Sequence, residues 1–185
     1  MLCTQVKGPM EEDWKKLLRM LQYIKSSLNN VLNLRADDLS IVRWYVDASF
    51  AVHPDFKSHT GVAMTYGAGV PIAMSQKQKL NTHSSTEAEL VGVDDGVNLI
   101  LWTKLFLEAQ ECNIEVNTVY QDNQSAILLE VNGKRSSSKR TCALNIRYFF
   151  ITDQVESGNI SIEYCPTMSM IADFFYEAFA RGTFL

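Results

Sequence analysis

The chain has 185 residues, 46% of them hydrophobic and 21% charged, with a formal net charge of −4. That length fits one domain or one domain with an appendage, and the composition is ordinary for a soluble globular protein. No apolar run approaches the ~18 residues of a membrane span, the first residues lack the apolar core of a signal peptide, and the acidic balance argues against strong autonomous nucleic-acid binding.

Residues 11–28 predict an amphipathic helix, with Trp14, Leu17, Leu18, Leu21, Ile24 and Leu28 at spacings of three and four. Glu11, Glu12 and Asp13 suit the positive end of its dipole. Asn29 and Asn30 mark a break, and residues 29–40 read as a connection. Residues 41–46 are β-branched and aromatic, a strand signal. Residues 61–66 and 70–75 predict two more strands around a turn at 67–69, which gives an antiparallel meander. A long helix begins near Ser84 and runs to about Gln110; Ser84 with Glu87 and Thr86 with Glu89 both fit capping-box spacing. A strand over 116–120, a short helix over 123–131 and a polar loop over 132–140 follow. The chain then predicts a helix over 143–156, a strand over 159–164 and a final helix from Thr167 to about Ala180. This order predicts an α/β fold: a mixed five-stranded sheet, three strands antiparallel and two parallel, flanked by helices, with an extra N-terminal helix. Residues 1–40 would form the helix and connection, and residues 41–185 the main domain.

The four cysteines, Cys3, Cys112, Cys142 and Cys165, have no Cys-x-x-Cys spacing. That predicts reduced thiols serving as buried filler in an intracellular compartment, not a zinc site.

Four acids stand at the edges of apolar runs: Asp47, Glu89, Asp122 and Asp173. A half-buried carboxylate needs a partner or a cation to offset its desolvation. A set of hard oxygen donors suits Mg²⁺, and two such ions make a phosphodiester-cleaving site. Taken singly, Asp122 also reads as a turn former or cap, and Asp173 as a solvated helix residue. Glu87 competes with Glu89, but residues two apart on a helix face differently.

Six segments in this order resemble the ribonuclease H domain of copia-type retrotransposon polyproteins. They are Trp14-Lys15-Lys16-Leu17-Leu18, Tyr45-Val46-Asp47-Ala48-Ser49, Lys57-Ser58-His59-Thr60-Gly61, Ser84-Ser85-Thr86-Glu87-Ala88-Glu89-Leu90, Asp122-Asn123-Gln124-Ser125-Ala126 and Ile171-Ala172-Asp173. The resemblance covers about residues 10–180. It implies a ribonuclease-H-like fold and an endonuclease that hydrolyses the RNA strand of RNA–DNA hybrids with two Mg²⁺ ions, for which Mn²⁺ substitutes. Asp47 would bridge both ions, Glu89 and Asp122 would hold the ion on the leaving-group side, and Asp173 the ion that activates water. Ser85, Thr86 and Gln124 would contact the RNA 2′-hydroxyls, which are how a protein tells RNA from DNA; caps explain Ser85 and Thr86 equally well. Lys139 and Arg140, in a loop with four cations, would hold phosphates, although a merely solvated loop fits as well. The implied partners are the hybrid and a reverse transcriptase domain of the same polyprotein, with no membrane. The implied location is intracellular, in a cytoplasmic virus-like particle or the nucleus.

Two departures bear on activity. The family's His-Ile-Asp-Ile-Arg or His-Ile-Asn-Ile-Arg motif here reads Ala143-Leu144-Asn145-Ile146-Arg147, and its Thr-Lys-Pro-Leu motif after the last acid is replaced by Phe174-Phe175-Tyr176-Glu177-Ala178-Phe179. They motivate an alternative, an inactive ribonuclease-H-like scaffold. An integrase-like strand-transfer enzyme is a third reading, disfavoured by the motif order. Of the histidines, only His83 is expected near the acids; His53 and His59 match no family position.

Overall fold

The computed structural model describes residues 7–133 and 145–174. The chain divides into two compact units between Asn33 and Leu34. The first contains helix α1 (Glu11–Ser26). The Asp13 carboxylate accepts the Met10 backbone N–H at 3.1 Å, satisfying one of the donors that a helix start leaves open. Lys15 and Glu11 pair at 3.1 Å one turn apart. The helix ends two residues before the predicted Leu28, because Ser27 turns its hydroxyl back onto the Tyr23 carbonyl at 2.8 Å.

The second unit opens with β1 (Arg35–Ala36), which pairs antiparallel with β4 (Gly67–Ala68). The sequence reading placed a connection and a turn at these residues; two-residue ladders leave no alternation to detect. The main sheet contains β2 (Ile41–Ser49), β3 (His59–Thr65), β5 (Ile72–Lys77), β6 (Val116–Gln121) and β7 (Ser161–Tyr164). Their spatial order is β5-β3-β2-β6-β7. β3 runs antiparallel to both β2 and β5, and β6 and β7 extend the sheet in parallel from the other edge of β2. This is the predicted mixed five-stranded sheet. Helices α2 (Ser85–Ala109), α3 (Gln124–Asn132) and α4 (Asn145–Glu156) complete the second unit's α-helices among the described residues.

Alternation on β2 builds the core. Val42, Trp44 and Val46 are buried and pack with Val62, Val93, Val97, Ile100, Val119 and Ile151. The Trp44 indole N–H donates to Asn117 at 3.0 Å, and the Asn117 amide passes the chain on to the Asn159 carbonyl at 3.1 Å. A buried polar edge is thereby satisfied inside an apolar layer.

α2 lies close to the sheet because it carries glycine where it crosses. A Cβ at Gly92 would sit 3.4 Å from Ala48 Cβ, and one at Gly96 would sit 3.2 Å from Val62 Cγ2. Each glycine costs a helix about 1 kcal/mol relative to alanine, which the close approach offsets. Gly96→Val is expected to destabilise the protein by about 1–3 kcal/mol through overpacking. Thermal unfolding by circular dichroism should show a drop in Tm on the order of 5 °C, and an unchanged Tm would refute the tight seating.

The predicted final helix does not hold from Thr167 onward. Two 3₁₀ turns, Thr167–Ser169 and Ile171–Asp173, are separated by Met170 in an extended conformation (φ −77°, ψ 100°). Met170 is buried with Cys165 and Ala172, and seating it there draws the backbone out of helical register. Residues 175–180 of that prediction lie outside the described residues, as does the loop from residue 134 with Lys139 and Arg140. Cys165 is buried as expected, but Cys112, just past the end of α2, is exposed. No helix among the described residues is long and apolar enough to cross a membrane.

Candidate metal centre

Asp47 lies near the C-terminal end of β2, two residues past the last pair with β6 (Tyr45 with Tyr120), with Gly61 opposite it on β3. Glu89 sits in the second turn of α2. The open question of the cap is resolved by geometry: Ser84 Oγ accepts the Glu87 N–H at 3.2 Å, and Glu87 accepts the His83 N–H at 2.7 Å. Glu87 is therefore spent on the helix start, and Glu89 faces inward. The Gln78 amide anchors this turn from the β5 side, donating to the Ala88 carbonyl at 2.8 Å and to Thr60 at 3.0 Å. Asp122 follows β6 directly, and Asn123 caps α3 by accepting the Ser125 and Ala126 N–H groups, each at 3.1 Å. Asn123 is thus the cap, and the carboxylate before it is left for other work.

Asp47, Glu89 and Asp122 each bring one carboxylate oxygen within 4.8 Å of the others. Asp47 and Glu89 are only 3% and 5% exposed. Asp47 Oδ2 and Glu89 Oε2 are buried without a hydrogen-bond partner. Asp173, carried by the Ile171–Asp173 turn, stands outside this trio but reaches the Asp47 carboxyl at hydrogen-bonding range. Asp47 is therefore common to the trio and to the pair.

Burial is the main cause that pushes the Asp47 carboxyl up to about 8, followed by the hydrogen bond and charge of Asp173 and the charge of Asp122. Burial also pushes Glu89 well above the usual carboxylate range, helped by Asp47 and Asp122, with a backbone hydrogen bond at Ala48 acting the other way. Without a cation the cluster must keep protons, because like charges in a desolvated site cannot all ionise. The donor set consists wholly of hard oxygens, and two of its buried atoms lack partners. Two ligands of one Mg²⁺ at ~2.1 Å lie at most ~4.2 Å apart, so a small inward adjustment would bring all three acids onto one ion. The residues fit a divalent cation of the Mg²⁺ or Mn²⁺ kind.

The softer site predictions separate. Ser85 and Thr86 lie in the first turn of α2, Ser85 exposed and Thr86 half-buried, and Gln124 opens α3 and is exposed. Ser84, not Ser85 or Thr86, makes the cap, which leaves both hydroxyls outside that bond. His83 is exposed. His53 and His59 face each other instead, Nε2 to Nδ1 at 3.1 Å, with His59 Nε2 against Ser75 Oγ at 2.8 Å.

Two features near the acids were not read from the sequence. Glu130 on α3 is fully buried and neither carboxyl oxygen has a well-formed hydrogen bond; burial pushes it well above the usual range, and the neighbouring Gln121 amide partly offsets this. Gln121 directly precedes Asp122. A charged residue on a helix reads as surface, and only tertiary packing reveals it as buried. The second feature is Thr167, whose Oγ1 donates to Asp122 Oδ2 at 2.7 Å. The polar Pro-Thr step before a predicted helix resembled an ordinary helix start.

No family profile matches the chain. It is 28% identical over 180 residues to the retrovirus-related Pol polyprotein from transposon TNT 1-94 of Nicotiana tabacum, covering 97% of this chain and 13% of the polyprotein. It is 29% identical over 180 residues to the Pol polyprotein from transposon RE2 of Arabidopsis thaliana, covering 95% of this chain and 12% of that polyprotein. The chain thus spans about an eighth of the length of these relatives. Among solved structures it is similar to LC11-RNase H1, isolated from compost by a metagenomic approach (TM-score 0.55, 16% identity, 77% of this chain and 98% of that one). A second structure of that protein, in complex with an RNA/DNA hybrid, matches with a TM-score of 0.53 at 13% identity, over 76% of this chain and 98% of that one. The likeness to the compost protein takes in nearly the whole of that chain. The chain is a homologue of a segment of plant transposon Pol polyproteins, and it has the ribonuclease H fold.

Proposed function

We propose that this chain is a ribonuclease H that cuts the RNA strand of RNA–DNA hybrids and leaves 5′-phosphate and 3′-hydroxyl ends. The observation that carries the reading is the trio of carboxylates within 4.8 Å of one another, with buried, unpartnered oxygens on Asp47 and Glu89. A cluster of desolvated acids costs stability, and a nuclease centre gives that cost a use.

In this reading Asp47, shared between the trio and Asp173, would serve both cations, Glu89 and Asp122 would hold the one on the leaving-group side, and Asp173 the one on the water side. Bound there, divalent cations supply Lewis acidity for the attack of water on phosphorus and the departure of the 3′-oxygen. The protein's part is to fix the carboxylates in place and to exclude bulk water from Asp47 and Glu89. The hydroxyls of Ser85 and Thr86 and the Gln124 amide, at the starts of α2 and α3, would recognise the RNA strand through its 2′-hydroxyls. Lys139 and Arg140 would take backbone phosphates. Residues 41–185 would be the catalytic domain and residues 1–40 a connecting segment. Its homology to Pol polyproteins supports work beside a reverse transcriptase inside the cell, on the hybrids that such an enzyme makes.

A labelled RNA–DNA hybrid incubated with protein and Mg²⁺ or Mn²⁺ tests this, with double-stranded RNA and both single strands as controls. Cleavage restricted to the RNA strand of the hybrid is expected. The altered segments at 142–145 and 176–178 favour one competing reading, an inactive scaffold that keeps the fold. Calorimetric titration separates the two: an absence of heat with both Mg²⁺ and Mn²⁺, together with intact hybrid, establishes the scaffold.

A further inference from the structure

The third acid of the cluster is held from a distant part of the chain. Thr167 Oγ1 donates to Asp122 Oδ2 at 2.7 Å. Two residues earlier, the Cys165 N–H donates to the Gln121 carbonyl at 2.7 Å. These bonds fasten segment 165–167 to consecutive positions, Gln121 at the end of β6 and Asp122 just after it. Pro166, between them, has no N–H to offer and holds φ at −59°, so the turn leaves the sheet in a fixed direction. The same segment continues through buried Met170 and Ala172 to Asp173.

We propose that Thr167 is a positioning residue for the cation site. Its hydroxyl fixes the rotamer of Asp122 and holds a carboxylate oxygen within reach of Asp47 and Glu89. Because Thr167 and Asp173 ride on one short segment, that segment sets the placement of two of the four acids. The inference rests on reading the acid cluster as a divalent-cation site. The bond is made to a charged acceptor, which strengthens it, but Thr167 is exposed, so water competes for the same oxygen.

The test is calorimetric titration of Mn²⁺ into wild-type protein, Thr167→Val and Thr167→Ser, with hybrid cleavage followed against Mg²⁺ concentration. Thr167→Val should weaken Mn²⁺ binding by about 5–10-fold and shift the Mg²⁺ midpoint for cleavage upward by a similar factor, with activity recovering at saturating Mg²⁺. Thr167→Ser keeps the hydroxyl and should bind like wild type. The Tm of both variants in EDTA should stay near the wild-type value, since neither residue face is buried. Equal Mn²⁺ affinity in wild type and Thr167→Val would overturn the role of Thr167 while leaving the cation site standing. Serine performing as badly as valine would overturn it too, by showing that shape and not the hydroxyl matters. Wild-type protein that takes up no Mn²⁺ at all would remove the site itself, a separate and recognisable outcome.

Discussion

Asp122→Asn should lose hybrid cleavage by at least about 100-fold, a loss of roughly 2.7 kcal/mol of transition-state stabilisation, while keeping its fold. Asparagine preserves the shape of the side chain and an oxygen that can accept from Thr167, so the 2.7 Å bond between the two segments is retained. What disappears is one negative charge among the three oxygens gathered within 4.8 Å. A carboxylate binds Mg²⁺ as a hard anionic donor, and a neutral amide does so far less well. Activity and stability should therefore part company, with a near wild-type Tm in EDTA and a flat cleavage time course. Cleavage by Asp122→Asn at the wild-type rate would remove Asp122 from the catalytic set.

The second large effect is on stability. Metal-free protein should become less stable as pH rises from about 6.5 to 8. Asp47 holds its proton up to about 8 in the folded state, against an ordinary value of 3.8 in the unfolded chain. Between those values the folded state binds more protons than the unfolded one, so stability falls as pH rises. Glu89 and Glu130, both raised, push in the same direction. His59 acts oppositely: burial, with the charge of His53, lowers it from 6.5 to about 4, so its contribution is complete above 6.5 and fades as pH falls toward 4. The carboxylates therefore show through cleanly only above 6.5. Unfolding curves in EDTA across that interval should give a falling Tm. Mg²⁺ added at pH 8 should raise the Tm again, because a ligand that binds only the folded state stabilises it. Asp47→Asn in EDTA at pH 8 should gain stability on the order of 1–3 kcal/mol, since it removes a buried carboxyl whose ionisation is opposed by burial and by the neighbouring acids. A metal-free Tm that is level or rising between pH 6.5 and 8 would contradict this account.

Much of this architecture was legible beforehand, and the exceptions have physical causes. β2 announces itself because residues 41–46 are β-branched and aromatic, and Val42, Trp44 and Val46 form its buried row. α2 is legible from its cap, Ser84, whereas α3 caps on Asn123 and not on the Asp122 that also reads as a cap. The acids could be named because each interrupts an apolar run. Their convergence could not be read from local pattern, because it depends on two strands, a helix and a turn meeting, and it entered only through family resemblance. The β1–β4 ladder escaped because two residues carry no period. The supposed single helix after Thr167 escaped because its composition suits a helix, whereas burial of Met170 decides the backbone path. Glu130 escaped because nothing local distinguishes a buried glutamate from a solvated one.

The bare crossing of α2 over the sheet has a meaning for the chemistry. Gly92 falls one turn below Glu89, and Gly96 one turn further on. These two missing side chains act as a depth gauge: they decide how far the helix sinks, and with it how near the Glu89 oxygen comes to Asp47. Enlarging either position would raise the helix like a shim under a beam. The ion-sized gap between the acids would then widen with no change to any residue that touches it.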